Sequence, residues 1–427
     1  MGHTPPVSSR RLGGIAALCC LVATGCWQPG VKPSTAATPE ATRTSTALPA
    51  NSPVPSADLG PIASQPAATG EGDLVVEVFD DAGVFGGPGV DVARVGTAVG
   101  DGFVVIGDHS DAPGSLTHQA WLTVDGLAWQ RVEDIPAMGA ATVTSVAELA
   151  SGRLVAVGWE GPAVAAWLSD DAGQTWRDAP APTDATGVML RTIVAGPRQA
   201  LAMGSLGTSD GSPASVLYLT SDGEEWTSVE LPAATFSGGA INDVAPRADG
   251  FVAVGGRTLD GSPAVPATTD IYQGLRRAAW DSADGLTWAP GAIDADDGDA
   301  APGPMGTLLA GSAALLAFGL GPAASPTDRM YYRSSDGATW APGIQIDTSN
   351  TGIATWDGQI YFLRSRFEGS QPTAELIVGD GLGFESKGTS VDPRVGAGWA
   401  VAGAPGMLEP GIVGDDVRMV LVHPPES

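Results

Sequence analysis

The chain has 427 residues, 43% of them hydrophobic and 16% charged, with 59 Gly and 34 Pro. So much Gly and Pro beside so little charge describes a turn-rich globular protein rather than one built from ion-pair-laced helices, and it favours an all-β architecture. Acidic residues outnumber basic ones 48 to 21, a formal charge of −27, which argues against nucleic acid as a partner.

The first segment reads as an address. Arg10 and Arg11 precede an apolar stretch from Leu12 to Ala23, a charged region followed by a hydrophobic one too short to span a bilayer. It closes with Leu21-Val22-Ala23-Thr24-Gly25-Cys26, which resembles the lipobox of bacterial lipoproteins. The resemblance implies a signal peptide over residues 1–25, a diacylglyceryl group on Cys26, and a membrane partner through that lipid anchor on the extracytoplasmic face of the cell membrane. An ordinary secretory cleavage nearby is the alternative. Loss of Arg10 and Arg11 would take the basic residues from 21 to 19 against the same 48 acids, a charge of −29. Cys19, Cys20 and Cys26 are the chain's three cysteines, so the folded part has no internal disulfide and no thiolate metal ligand.

Residues 26–72 follow as a Pro-, Ala-, Ser- and Thr-rich run, as in Pro33-Ser34-Thr35-Ala36-Ala37. Such a segment cannot bury enough apolar surface to offset its ordering entropy and reads as a disordered tether.

Residues 73–427 carry a repeat. It is fullest in Ser169-Asp170-Asp171-Ala172-Gly173-Gln174-Thr175-Trp176. Forms one residue shorter place Asp125, Asp222, Asp284 and Asp336 before a Gly and three residues later an additional aromatic, with a degenerate copy at Asp380. The closing aromatics at 129, 176, 226, 288, 340 and 384 are spaced by 47, 50, 62, 52 and 44 residues, a period suited to one four-stranded blade per repeat. In a tight hairpin the carboxylate accepts turn N–H groups and Gly supplies positive φ, so these six acids are expected as structural clamps rather than catalytic groups. Runs such as Val104-Val105-Ile106 and Val155-Ala156-Val157 suit strands buried on both faces. Leu74 to Phe79 and residues 396–423 have strand character but no complete repeat. The expectation is a β-propeller of seven four-stranded blades, one shared between the termini with outer strands from 74–87 and inner strands from 396–423. Six blades with loose ends is the alternative.

The repeat resembles the Asp box (BNR repeat) of sialidases, xyloglucan-degrading glycosidases, sortilin-type receptors and photosystem assembly factors. In sialidases the family adds an Arg triad and a Tyr–Glu pair, with an N-terminal Phe-Arg-Ile-Pro-like motif that does not occur here. Arg94 is the nearest equivalent by location. If the boxes form one face, the loops on the other are expected to recognise ligand: 108–118, 205–213, 256–277 and 323–329. The third accounts for the 62-residue interval and carries Asp270, Tyr272, Arg276 and Arg277, an aromatic and cationic group in an acidic chain and the expected binding loop. No catalytic residues, cofactor or metal site are assigned. Asp294 to Asp299 departs from the EF-hand spacing, and His109 with His118 lacks a zinc-ligand spacing. The expected function is that of a monomeric surface lipoprotein whose propeller is a non-enzymatic binding or scaffold module for a protein or glycan. A sialidase-like glycoside hydrolase and an assembly factor for a membrane complex are the alternatives.

Overall fold

A computed structural model of the protein describes residues 74–79, 84–85, 89–112, 115–182, 184–207, 213–236, 239–258, 275–294, 304–320, 328–347, 351–368, 371–390, 399–413 and 416–424. They form seven antiparallel sheets. Blade I runs from the inside outward as Val90–Val99, Gly102–Ser110, Thr117–Thr123 and Trp129–Val132. Blade II is Thr142–Glu148, Leu154–Glu160, Ala163–Ser169 and Arg177–Ala179, and blade III is Val188–Ala195, Ala200–Gly207, Pro213–Thr220 and Thr227–Val229. Blade IV is Gly239–Arg247, Gly250–Thr258, Leu275–Ser282 and Ala289–Pro290. Blade V is Met305–Ala310, Leu315–Leu320, Asp328–Ser334 and Thr339–Asp347, with Ala292–Ile293 as a short parallel addition on its outer edge. Blade VI is Thr351–Trp356, Gln359–Glu368, Gln371–Gly379 and Phe384–Ser390.

Blade VII joins the two ends of the chain: Val401–Gly403, Gly406–Val413 and Asp416–His423 are its inner three strands, and Val75–Phe79 is its outer one. The shared blade is as expected, but its division differs. The N-terminal segment supplies one strand rather than several, because Val84 and Phe85 lie in a turn. Each innermost strand packs on those of the two neighbouring blades, and that of blade VII on that of blade I, so the ring closes and no inner edge is left exposed.

The core is divided among the seams. Seven apolar clusters each combine residues of two adjacent blades. Strand alternation explains this: Val104 and Ile106 enter the cluster shared with blade II, whereas Phe103 and Val105 enter the one shared with blade VII. A blade between two neighbours has no solvated face, which is why its middle strands read as unbroken apolar runs. The third-strand aromatics Trp121, Trp167, Tyr218, Trp280 and Tyr332 are all buried. Three of them anchor connectors between blades through indole N–H donation: Trp121 to Val84 O, Trp167 to Ala137 O and Trp280 to Thr235 O.

Candidate functional site

The antiparallel order puts the inner hairpins and the hairpins between third and outer strands on one face, here the hairpin face. The remaining loops occupy the opposite, loop face. On the hairpin face every predicted acid turns back onto its own backbone. Asp125 Oδ1 accepts the N–H groups of Leu127 and Ala128 at 2.9 and 2.8 Å. Asp222 takes those of Glu224 and Glu225, Asp284 those of Leu286 and Thr287, Asp336 those of Ala338 and Thr339, and Asp380 those of Leu382 and Gly383. Asp171, in the longer turn, accepts both the N–H and the hydroxyl of Thr175. The backbone donors hold Asp125 and Asp222 below the usual carboxylate range. At Asp171 and Asp284 burial pushes the other way, and the hydrogen bonds outweigh it. In blades II to V the Ser or Thr before the acid accepts the N–H of the turn glycine. Blade VI has Val378 where the others have a hydroxyl, and its Asp380 holds the turn without it.

The hairpins are also wedges. Gly223 has φ +78°, and a Cβ there would lie 2.4 Å from Leu168 Cδ2 of the preceding blade. Gly381, at φ +98°, approaches Ala314 O of blade V in the same way. A second set of ties fixes four of the six hairpins from behind. Arg153 Nη1 donates to Asp222 O at 2.9 Å, Gln199 Nε2 to Asp284 O at 2.6 Å, Arg247 Nη1 to Asp336 O, and the Ala313 and Ala314 amides to Asp380 O. These donors all stand just before a second strand, a position the repeat pattern does not mark because different donor types serve it.

Five inner strands share a one-residue bulge, at Arg94, Thr144, Arg191, Asn242 and Thr307. The bulges form further ties between blades: Thr144 Oγ1 donates to Leu190 O, Asn242 Nδ2 to Met305 O, and Asp243 accepts the Leu308 N–H at 2.7 Å. Asp243 is raised to about 6 by burial, against the pull of the Leu308 and Val244 amides.

The loop-face end of blade I holds two charged networks on opposite sides of one sheet. Asp91, with its side chain 3% exposed, lies 2.6 Å from His109 Nδ1 and 3.3 Å from Arg131 Nη2. His109 Nε2 is 3.0 Å from Asp111. The bond to Asp91 raises the His109 pKa above its ordinary value, against the effect of burial. Arg94 and His118 share Asp108, at 2.6 and 3.2 Å, and His118 Nε2 meets Ala141 O at 2.9 Å. By register Asp91 faces the seam with blade VII beside His109, whereas Asp108 and His118 face the seam with blade II. His109 and His118 therefore do not converge.

The expected binding loop divides likewise. Asp270 and Tyr272 lie outside the described residues, as do Cys26 and residues 26–72. Arg276 and Arg277 sit on the third strand of blade IV, where alternation sends them to opposite faces. Arg277 stacks on the Tyr332 ring of blade V at 4.6 Å, so it braces a seam rather than joining Arg276. The companion of Arg276 is Arg257, directly across the strand pair.

These features define the class: a seven-bladed β-propeller closed by a blade shared between the ends of the chain. No protein-family model matches the sequence, and no curated protein does. Among solved structures the chain is similar to the β-propeller domain of the Trilobed protease from Pyrococcus furiosus, at 12% identity over 79% of this chain and 96% of that one, TM-score 0.48. It is similar to YCF48 bound to D1 peptide, at 12% identity over 85% and 100% of the two chains, TM-score 0.46. It is also similar to phage phi92 endosialidase, at 11% identity over 83% and 70%, TM-score 0.38. At such identities the likeness is one of fold alone.

Proposed function

We propose that the protein is a non-enzymatic binding or scaffold module, held on the extracytoplasmic face of the cell membrane by a lipid on Cys26 and raised from it by the 26–72 tether. The hairpins are Asp boxes in the structural sense, and the ligand, a protein or glycan, is taken on the loop face. The observation that carries this reading is the commitment of the six hairpin carboxylates to their own turns. An acid whose carboxylate is committed as a turn acceptor is poorly placed to donate a proton in glycoside cleavage. The loop-face ends of blades I and IV, by contrast, carry Asp91, Asp108, His109 and Arg131 on the one and Arg257 and Arg276 on the other, at strand ends where recognition residues are supported by a rigid scaffold.

The test is to screen the purified protein against glycans and a detergent extract of its own cells, and to follow bound glycans for turnover. Capture without turnover, lost on substitution of loop-face residues and kept on substitution of Asp125 or Asp336, is the expected result. Hydrolysis abolished by one carboxylate substitution would overturn it. Metabolic labelling with a fatty-acid analogue, lost in Cys26→Ser, checks the anchor.

A further inference from the structure

Blade IV carries two arginines face to face. Arg257, near the end of the second strand, and Arg276, near the start of the third, are direct register partners. Opposed residues of an antiparallel pair have Cβ atoms about 4.5–5.5 Å apart, and like charges so placed repel. Ala253, Ala278 and Trp280, which share their side of the sheet, belong to the cluster between blades III and IV. Both side chains therefore leave the sheet toward that seam, at its loop-face end.

Six other arginines, Arg94, Arg131, Arg153, Arg177, Arg247 and Arg364, each pair with a carboxylate, Arg277 lies on an aromatic ring, and Arg191 and Arg198 are exposed to solvent. Among the described residues neither Arg257 nor Arg276 forms an ion pair, and Arg276 Nε is buried without a hydrogen-bond partner. A buried donor left unbonded and two cations held side by side are both costly. An oxyanion between them relieves both costs, because two planar guanidinium forks match the geometry of a carboxylate, sulfate or phosphate. The segment that links the two strands in sequence is the one that lengthens the repeat to 62 residues.

We propose that Arg257 and Arg276 form an oxyanion clamp at the loop-face end of the seam between blades III and IV, taking a single acidic group either as a free ion or on a sugar. The clamp rests on the reading of the loop face as the binding face and adds the chemistry of the ligand. A single compact oxyanion suits it better than a polyacidic protein, which the formal charge of −27 would repel.

The experiment uses the full chain in detergent, with inorganic sulfate and phosphate as probes against chloride at equal ionic strength. Binding is followed by calorimetry and by the melting temperature. Arg257→Gln and Arg276→Gln are compared with Arg198→Gln, an exposed arginine at the hairpin-face end of blade III. Wild type and Arg198→Gln are expected to bind sulfate saturably, and each clamp variant to bind it at least about tenfold more weakly. Without sulfate, Arg276→Gln is expected to melt higher than wild type, because the substitution removes the repulsion and the unbonded nitrogen. Sulfate stabilises most proteins non-specifically, so the difference between variants is what counts. A sulfated or uronate oligosaccharide that binds more tightly than inorganic sulfate, and is lost in the same variants, identifies a sugar as the carrier, whereas equal affinity identifies the free ion. Absence of saturable binding, or equal binding in the clamp variants, overturns the clamp, as does an Arg276→Gln that melts lower with its sulfate binding unchanged. If an uncharged glycan is still captured while no anion binds, the clamp falls and the binding-module reading stands. An acidic peptide bound at the clamp in preference to every acidic sugar overturns the assignment of the ligand class.

Discussion

Substituting Ala at Gly223 isolates the wedge that each Asp hairpin drives into its neighbour. The residue has φ +78°, and an added Cβ would sit 2.4 Å from Leu168 Cδ2 and 2.8 Å from Val155 Cγ2. Both neighbours are fully buried in the seam between blades II and III, so they have little freedom to retreat. A left-handed backbone costs a non-Gly residue about 1–2 kcal/mol, and overpacking a filled core costs about 1–3 kcal/mol more, for a loss of about 2–5 kcal/mol in all. Gly161→Ala is the control, because Gly161 has φ +57° with nothing within 4 Å of its added Cβ and pays the backbone cost alone. Urea unfolding followed by tryptophan fluorescence compares the two. A difference between them below about 0.5 kcal/mol, within the scatter expected of surface changes, refutes the idea that the hairpin glycine is required by contact between blades.

Three further outcomes follow from the titrating groups and the hairpin acids. Asp243 is raised from 3.8 to about 6, so the folded state holds its proton more tightly, and stability falls as pH rises through that window by up to about 3 kcal/mol. The difference in stability between wild type and Asp243→Asn should therefore change between pH 3.8 and 6 and be flat above; a flat difference throughout refutes the assignment. His109 is raised above 6.5 by Asp91, so its contribution is complete below that pH and is lost as pH rises through the folded value. In Asp91→Asn that loss should shrink, Asp111 keeping its smaller share, which a pH series of thermal melts measures. Asp222 is depressed by the amides of Glu225 and Glu224, so its contribution is present above 3.8 and lost as pH falls below it. Asp222→Ala should cost about 1–3 kcal/mol at pH 7, while Asp222→Asn, which keeps an amide oxygen acceptor, costs less.

The blades were legible because a hairpin of this kind leaves few choices. Its carboxylate must accept turn amides and its glycine must adopt positive φ, so Asp and Gly recur at fixed spacing, and an aromatic closes each unit, buried in a seam at Trp288 and Trp340. The ties from Arg153, Gln199 and Arg247 were not legible, since their acceptor is a main-chain carbonyl that any residue supplies. Arg276 and Arg277 point to opposite faces for a reason intrinsic to strands: neighbours in sequence face apart. The partner of Arg276, Arg257, lies across a long intervening segment and becomes visible only once register is known. The shared blade was foreseen from unassigned apolar runs, but its division was misjudged. Residues 80–85 imitate the hairpin at Asp170 to Gly173, and Phe85 turns out to fill a seam from a turn.

That turn bears on how the ring closes. The outer strand Val75–Phe79 pairs with Met419–His423 along five residues, a short contact for a strand that must hold the two ends of the chain together. Phe85 supplements it. The ring is 1% exposed, stacks on Trp121 at 6.5 Å and meets Trp129 edge-on at 5.7 Å, while the adjacent Val84 carbonyl accepts the Trp121 indole N–H at 3.1 Å. The segment from Val75 to Phe85 thus grips blade I as well as blade VII, bridging the seam where the first and last strands of the ring meet. Phe85→Ala should cost about 3–5 kcal/mol, the range for a buried aromatic. Because it loosens the closing seam specifically, hydrogen exchange should rise first in Val75–Phe79 and Asp416–His423, before blades III to V respond. If protection fell equally in all seven blades, the ring would be unfolding as one cooperative unit, and the closing seam would hold no special place in its stability.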